Sequence, residues 1–251
     1  MTIGVFIILL LDLIVAPPAI TSDKGAIVVS DKNKTVRWRA EWTMDPAEWQ
    51  RRKAVRFTER GQGRVNPYQQ EIRWSLEAMW SADGTFRPID FEKTINTISG
   101  ELLVTERKHF DRDKGSVLFE RRFPGGRMER KTLSVPDDAM AIEGIAGVLR
   151  FLRFDPSQIF ATHLLSNEPR LYNVTFEIRG KERVKTPAGE FDCYKVELVP
   201  HVGILNVFRF LYPKTFFWFT VAPPHFWVRY EGPENVPGSP EVVMELDRGG
   251  E

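Results

Sequence analysis

Apolar and polar residues alternate along most of this chain with the two-residue period of a half-buried β-strand, not the 3.6-residue period of a helix. Tyr172, Val174, Phe176 and Ile178 share one parity, and Asn173, Thr175, Glu177 and Arg179 the other. Ile72, Trp74, Leu76, Ala78 and Trp80 stand in the same way against Arg73, Ser75, Glu77 and Met79, up to the turn signal Asp83-Gly84. Further strands are predicted near 36–44, 54–60, 86–96, 101–110, 116–123 and 127–134. The turns between them are short, as at Asp111 to Gly115 and Pro124-Gly125-Gly126. Successive strands should therefore pair as an antiparallel meander, which right-handed twist curls into a deeply curved sheet or partial barrel.

Two segments depart from this rhythm. After Pro136-Asp137-Asp138, the residues Ala139, Met140, Ile142, Ile145, Ala146, Val148, Leu149 and Leu152 have helical spacing. The pattern predicts a helix over 137–152, with the Asp pair at its N-cap, Arg150 and Arg153 near its C-terminal end and Pro156 stopping it. Gly144 and Gly147 would leave a small-residue face against the sheet. This helix reads as core closing the concave side; the alternative is a movable plug over a ligand cavity.

The second departure is aromatic. Ile204 to Tyr212 (ILNVFRFLY) and Phe216 to Val221 (FFWFTV) do not alternate, whereas an antiparallel strand with one wet face should be polar at every second position. Such strands are covered on both faces, or they line a lipid-like ligand or touch a membrane. The second reading makes Phe208, Phe210, Tyr212, Trp218, Phe219 and Trp227 candidate ligand-binding residues. Arg209 within the run suits a phosphate or carboxylate headgroup, or a nearby acid.

The expected fold is mainly β: a single curved antiparallel sheet or half-open barrel over 25–248, with one helix packed on its concave face. Ahead of it, Ile3 to Val15 is almost unbroken apolar sequence followed by Ala16-Pro17-Pro18-Ala19. As a helix it would be about 20 Å long, short of the ~30 Å hydrocarbon core, so 1–20 reads as a signal peptide and the protein as exported to the periplasm or cell envelope. Asp12 within the segment and the lack of Lys or Arg before it depart from an ordinary signal; a buried N-terminal strand or short anchor is the alternative. No cysteine follows to accept a lipid.

Composition narrows the chemistry. Lys plus Arg number 35 against 34 for Asp plus Glu, so a net charge of +1 offers no overall field to draw nucleic acid or an anionic surface. The basic clusters Arg51-Arg52-Lys53 with Arg56, Arg60 and Arg64, and Arg121-Arg122 with Arg127, Arg130 and Lys131, are interleaved with Glu48, Glu59, Glu120 and Glu129. That is the composition of a solvated strand face with cross-strand ion pairs, and peripheral membrane contact is the partner expectation that survives; nucleic acid is not expected. The single Cys193 can form no internal disulfide and reads as a small core filler. His109, His163, His201 and His225 lack metal-ligand spacing, so no metal and no cofactor are expected. Asp111-x-Asp113 fails as a calcium loop, with Ser116 at the glycine position and Arg122 at the bidentate position. Pro124-Gly125-Gly126-Arg127 lacks the spacing and lysine of a phosphate loop.

Three function classes remain. The first is a non-enzymatic envelope protein binding a lipid or apolar small molecule. The second is an envelope hydrolase or glycan-processing enzyme using carboxylates such as Glu77, Asp90 or Glu92, which requires two of them about 5–10 Å apart in one cleft. The third is a scaffold whose sheet edge or basic face engages a partner.

Three stretches carry a family resemblance: TPAGEFDCYKVEL at Thr186 to Leu198, FWFTVAPPHFWVRYE at Phe217 to Glu231, and PDDAMAIEG from Pro136. They resemble the bacterial family called domain of unknown function 3108, most specifically over Asp137 to Leu246. In that family a TPAG-containing strand pair is followed by an FWF and VRYE pair, usually behind an export signal. The resemblance implies a distant likeness to the half-barrels that carry lipoproteins or lipids in the bacterial envelope, hence a concave apolar face crossed by a helix. It implies no catalytic residues.

Overall fold

Wherever inward apolar residues alternate with polar ones, the chain extends and pairs with its neighbour. A computed structural model describes residues 22–83, 86–155, 157–201, 214–234 and 238–248. Its strands are β1 (Asp23–Asp31), β2 (Val36–Trp49), β3 (Arg52–Gly63), β4 (Ile72–Ser81), β5 (Pro88–Thr97), β6 (Leu102–Asp111), β7 (Ser116–Arg122) and β8 (Met128–Ser134). There follow β9 (Ala139–Ala141), β10 (Ile159–Leu165), β11 (Leu171–Thr186), β12 (Gly189–His201), β13 (Thr215–Thr220), β14 (Trp227–Pro233) and β15 (Glu241–Asp247). All belong to one 15-stranded sheet, ordered β8-β7-β6-β5-β4-β3-β2-β1-β15-β14-β13-β12-β11-β10-β9. The chain meanders from the middle to one edge, crosses to the other, and meanders back until β15 lies antiparallel to β1. Among the described residues only β9 and β10 run parallel.

The crossing dictates the curvature. Residues 135–138 alone join β8 to β9, the two edges of the sheet. Laid flat, the strands would span roughly 70 Å, while so short a link reaches under about 20 Å. The sheet therefore curls until its edges nearly meet, yet β8 and β9 do not pair, so the barrel stays open along that seam. The β8 edge, MERKTLS, is exposed almost throughout and densely charged, which discourages added strands.

Two apolar clusters fill the concave side. One joins Phe57, Trp80, Phe91 and Phe110 of β3 to β6 with Phe176, Phe217 and Phe219 of the opposite wall, around Met140, Ile145 and Leu149 between them. The other joins Val29, Trp38, Ile72, Trp74, Ile95, Val104 and Val242.

The single helix on the concave face is present but shorter than the sequence pattern predicts: α1 covers only Ile145–Leu149. Ala139–Ala141, expected in its first turn, forms β9 instead. The reason lies in the partners. Asp138 does not cap a helix; its carboxylate takes His163 Nδ1 at 2.8 Å, and its carbonyl accepts from the Thr162 hydroxyl at 2.5 Å, which seats the next residues on the β10 edge. Gly144 then turns left-handed (φ 64°) to start α1, and a Cβ there would stand 2.2 Å from the Trp80 ring. Strands β1, β9, β10 and β15 have no counterpart among the predicted segments; in β1 the run Ile27-Val28-Val29 hides the parity, and in β10 the exposed positions carry apolar Ile159 and Ala161.

Candidate functional site

Between the two clusters the concave face leaves a cavity of about 230 Å³. Strand parity builds its walls: Trp38, Trp42 and Met44 project from β2, Phe57 from β3, and Trp74 and Leu76 from β4. Phe217, Trp227 and Tyr230 face them from β13 and β14, and residues 142–147 form the roof. Trp38 and Trp74 meet edge to face, ring centroids 5.3 Å apart at 84°. The Trp74 indole lies against the backbone of Gly61, where a Cβ would come within 2.1 Å of it. Glycine at 61 thus lets this wall lie flat.

Charged side chains occupy inward positions in this apolar setting. Glu59 continues the parity of Val55 and Phe57; its Oε1 accepts from Trp74 Nε1 at 2.7 Å. Burial raises its pKa above the ordinary carboxyl value, opposed by the Trp74 hydrogen bond and the charge of Lys93, while Glu143 adds to the rise. Lys93 sits between Phe91 and Ile95 on the inner face of β5, its ammonium 5.8 Å from the Trp74 ring centroid. Among the described residues Lys93 makes no ion pair and no hydrogen bond.

The other inward charges are already matched. Lys108, 3% exposed, donates to the Glu143 carboxylate in the roof and to the Ser166 carbonyl at 2.9 Å. Arg150 pairs with Asp23 at 2.6 Å. Glu234 receives Arg37 Nε and Nη2, both at 3.2 Å, and Trp38 Nε1 and the Asn66 amide, both at 2.8 Å. A second cavity of about 300 Å³ adjoins the first, sharing Val65, Trp74, Lys93 and Asn167 as wall. In it Arg121 pairs with Glu106 at 2.8 Å, and Tyr68 has its pKa pushed up to about 12 by burial and by the Glu106 charge.

A family model described as a protein of unknown function, DUF3108, matches residues 32–247. The chain belongs to the DUF3108 family. No curated protein matches this DUF3108 chain. Among solved structures it is similar to a β-barrel-like DUF1849 protein from Brucella abortus, at 10% identity and a TM-score of 0.51, over 90% of this chain and 94% of that one. At such identity the likeness concerns the fold alone. A Bacteroides fragilis protein described as exported, with a YmcC-like fold, and a Parabacteroides distasonis protein described as a lipoprotein each align at 12% identity and a TM-score of 0.34, over 94% of this chain and 98% of theirs.

The aromatic residues singled out in the sequence of this DUF3108 chain go to three places. Trp227 lines the cavity. Phe219 is fully buried in the inner core beside Phe154 and Phe217. Trp218 points to the opposite face of the sheet, where it packs on Val184, Cys193 and Val228 beneath the side chains of Lys195 and Arg229, its indole N–H given to Glu182 at 2.5 Å. Strand β13 is therefore covered on both faces, which is why its sequence does not alternate. Phe208, Arg209, Phe210 and Tyr212 lie outside the described residues. Sequence reasoning missed the charges inside, although Glu59, Lys93 and Lys108 each fall on the apolar parity of their strand.

The three carboxylate candidates come together on the outer side of β4 and β5. Glu77, Asp90 and Glu92 lie on the convex face; Glu77 stands opposite Glu92, and Asp90 is engaged by Arg107 at 2.9 Å and His109 at 3.2 Å. All three border one cavity of about 390 Å³ on that face, walled also by Trp49, Arg60, Ser75 and Met79. Glu120 holds Arg130 at 2.6 Å and Arg122 at 3.5 Å, so these basic residues are matched by acids; Arg121 is the exception that turns inward to Glu106. The four histidines have separate partners, Asp90, Asp138, Thr175 and the Thr220 carbonyl. Among the described residues no group of three His, Cys, Asp or Glu side chains could hold a metal, and no helix is long and apolar enough to cross a membrane.

Cys193 is fully buried, and burial, aided by the charges of Asp192 and Glu182, pushes its thiol pKa up to about 12. An aromatic disulfide reagent at pH 8 is expected to label it at least about a hundredfold more slowly in the native protein than in denaturant. Rapid native labelling would show that the outer cluster opens.

Proposed function

We propose that this DUF3108 protein is an exported cell-envelope protein that binds a lipid-like or other apolar ligand on the concave face of its sheet. The observation that carries the reading is the cavity of about 230 Å³ walled by four tryptophans, Phe57, Phe217 and Tyr230. Apolar walls hold water poorly, and dry cavities of even about 150 Å³ take up small hydrophobic molecules. The walls come from β2 to β4 on one side and β13 and β14 on the other, so the site forms only when the two halves of the curled sheet are joined. Export rests on the apolar Ile3 to Val15 segment and the residues that follow it.

Native mass spectrometry and solvent extraction of protein purified from a bacterial periplasm test the reading. A co-purifying apolar molecule, released on denaturation and lost in Trp227→Ala, is the expected result. An apo mass, with a melting temperature unchanged by added lipid, would overturn it and favour a scaffold whose charged faces engage a partner.

A further inference from the structure

We infer that the ligand is an amphiphile with a singly charged anionic head, a fatty-acid-type carboxylate, whose tail lies among the indoles and whose head is held at Lys93; this rests on the apolar-ligand reading above. Of the charged groups bordering the aromatic cavity, Glu143, Arg150 and Glu234 are paired in charge with Lys108, Asp23 and Arg37. Among the described residues that leaves Glu59, which takes the Trp74 indole N–H and feels the charge of Lys93, and Lys93, whose ammonium lies against the Trp74 ring without a hydrogen bond or close ion pair. Lys93 also stands at the wall common to both cavities, where a tail in the aromatic chamber would end.

The sign and number of charges on the head follow from the neighbours. A cationic head would meet the Lys93 ammonium. A dianion would be under-matched by one ammonium, since the nearby cations Arg121 and Lys108 are already engaged by Glu106 and Glu143. A monoanion neutralises Lys93. Burial favours the protonated form of Glu59, which can give the head a second hydrogen bond while Trp74 Nε1 holds the other oxygen.

Laurate, dodecanol and dodecylamine share one tail, so titrating each into the delipidated full chain and following tryptophan fluorescence isolates the head. Laurate is expected to bind at least about tenfold more tightly than dodecanol, and dodecylamine least tightly. Lys93→Met and Lys93→Gln should bring laurate down to the affinity of dodecanol, whose own binding stays unchanged, while Lys93→Arg keeps the preference. Equal affinities in the wild type, tightest binding of the amine, or equal losses of laurate and dodecanol in both Lys93 variants would overturn the head assignment and leave the apolar cavity standing. Failure of all three to bind would overturn both.

Discussion

Glu234→Ala will lower the unfolding free energy by about 3–5 kcal/mol, read as a lower urea midpoint at unchanged slope. The Glu234 side chain is 1% exposed and accepts four hydrogen bonds, two from Arg37, one from Trp38 Nε1 and one from the Asn66 amide. It thereby fastens the end of β14 to β2 and to the segment between β3 and β4, next to the cavity. Truncation strands a guanidinium in a partly buried setting and removes the acceptor of a buried indole, both of which cost more than the bonds themselves contribute. Glu234→Gln keeps an acceptor for Trp38 and loses the charge opposite Arg37, so its loss should be smaller. A decrease under about 1 kcal/mol for Glu234→Ala would mean that water enters and solvates Arg37, and that this end of the sheet is looser than its bonding implies.

Lys108→Met is the second change with a large expected effect, again about 3–5 kcal/mol, because it leaves the Glu143 carboxylate without its cation. Glu143 has little slack: its second oxygen is buried without a hydrogen-bond partner. Lys108 also holds the Ser166 carbonyl, so one ammonium ties β6 to the cavity roof and to the turn after β10. Adding Glu143→Gln to Lys108→Met should recover more than half of the loss, since replacing both members of a buried pair is far milder than orphaning one. Additive losses in the double variant would place the effect in the other contacts of Lys108, such as its ammonium 5.7 Å from the Phe119 ring centroid, and not in the pair.

How much of this was legible beforehand varies by element. The β4 strand could be read residue by residue, since Ile72, Trp74, Leu76, Ala78 and Trp80 all point inward and Arg73, Ser75 and Glu77 are exposed. Curvature followed from short turns, and the family from three quoted stretches. The helix within 137–152 is present only over Ile145–Leu149, because helical spacing in a short stretch is a local signal and its first part lost to the β10 edge, which offered Ala139–Ala141 a ready set of backbone partners. For Phe216 to Val221 the first of the two readings, cover on both faces, holds, while Ile204 to Tyr212 lies outside the described residues. That Trp218 faces outward while Trp227 lines the cavity depends on the irregular register between β13 and β14, which parity alone does not reveal. The polar part of the site was the most readable feature left unused: in Phe91-x-Lys93-x-Ile95 and Val104-x-Glu106-x-Lys108-x-Phe110 charges stand where the period demands apolar residues. A charge on the buried parity has to be paired or to have work elsewhere.

The pairing of β1 with β15 matters for how the chain folds. It sets Ala26 opposite Asp247, so the middle of the sheet is stitched by residues more than two hundred positions apart in sequence. The two meanders on either side need only local hairpins, whereas their joining must wait for β15 and then close a loop of more than two hundred residues. Until that moment the inner edges of both half-sheets are open to other chains. Folding should therefore show a slow final phase, with aggregation competing during it, and a synthetic β15 peptide that pairs with β1 ahead of the native strand should block completion.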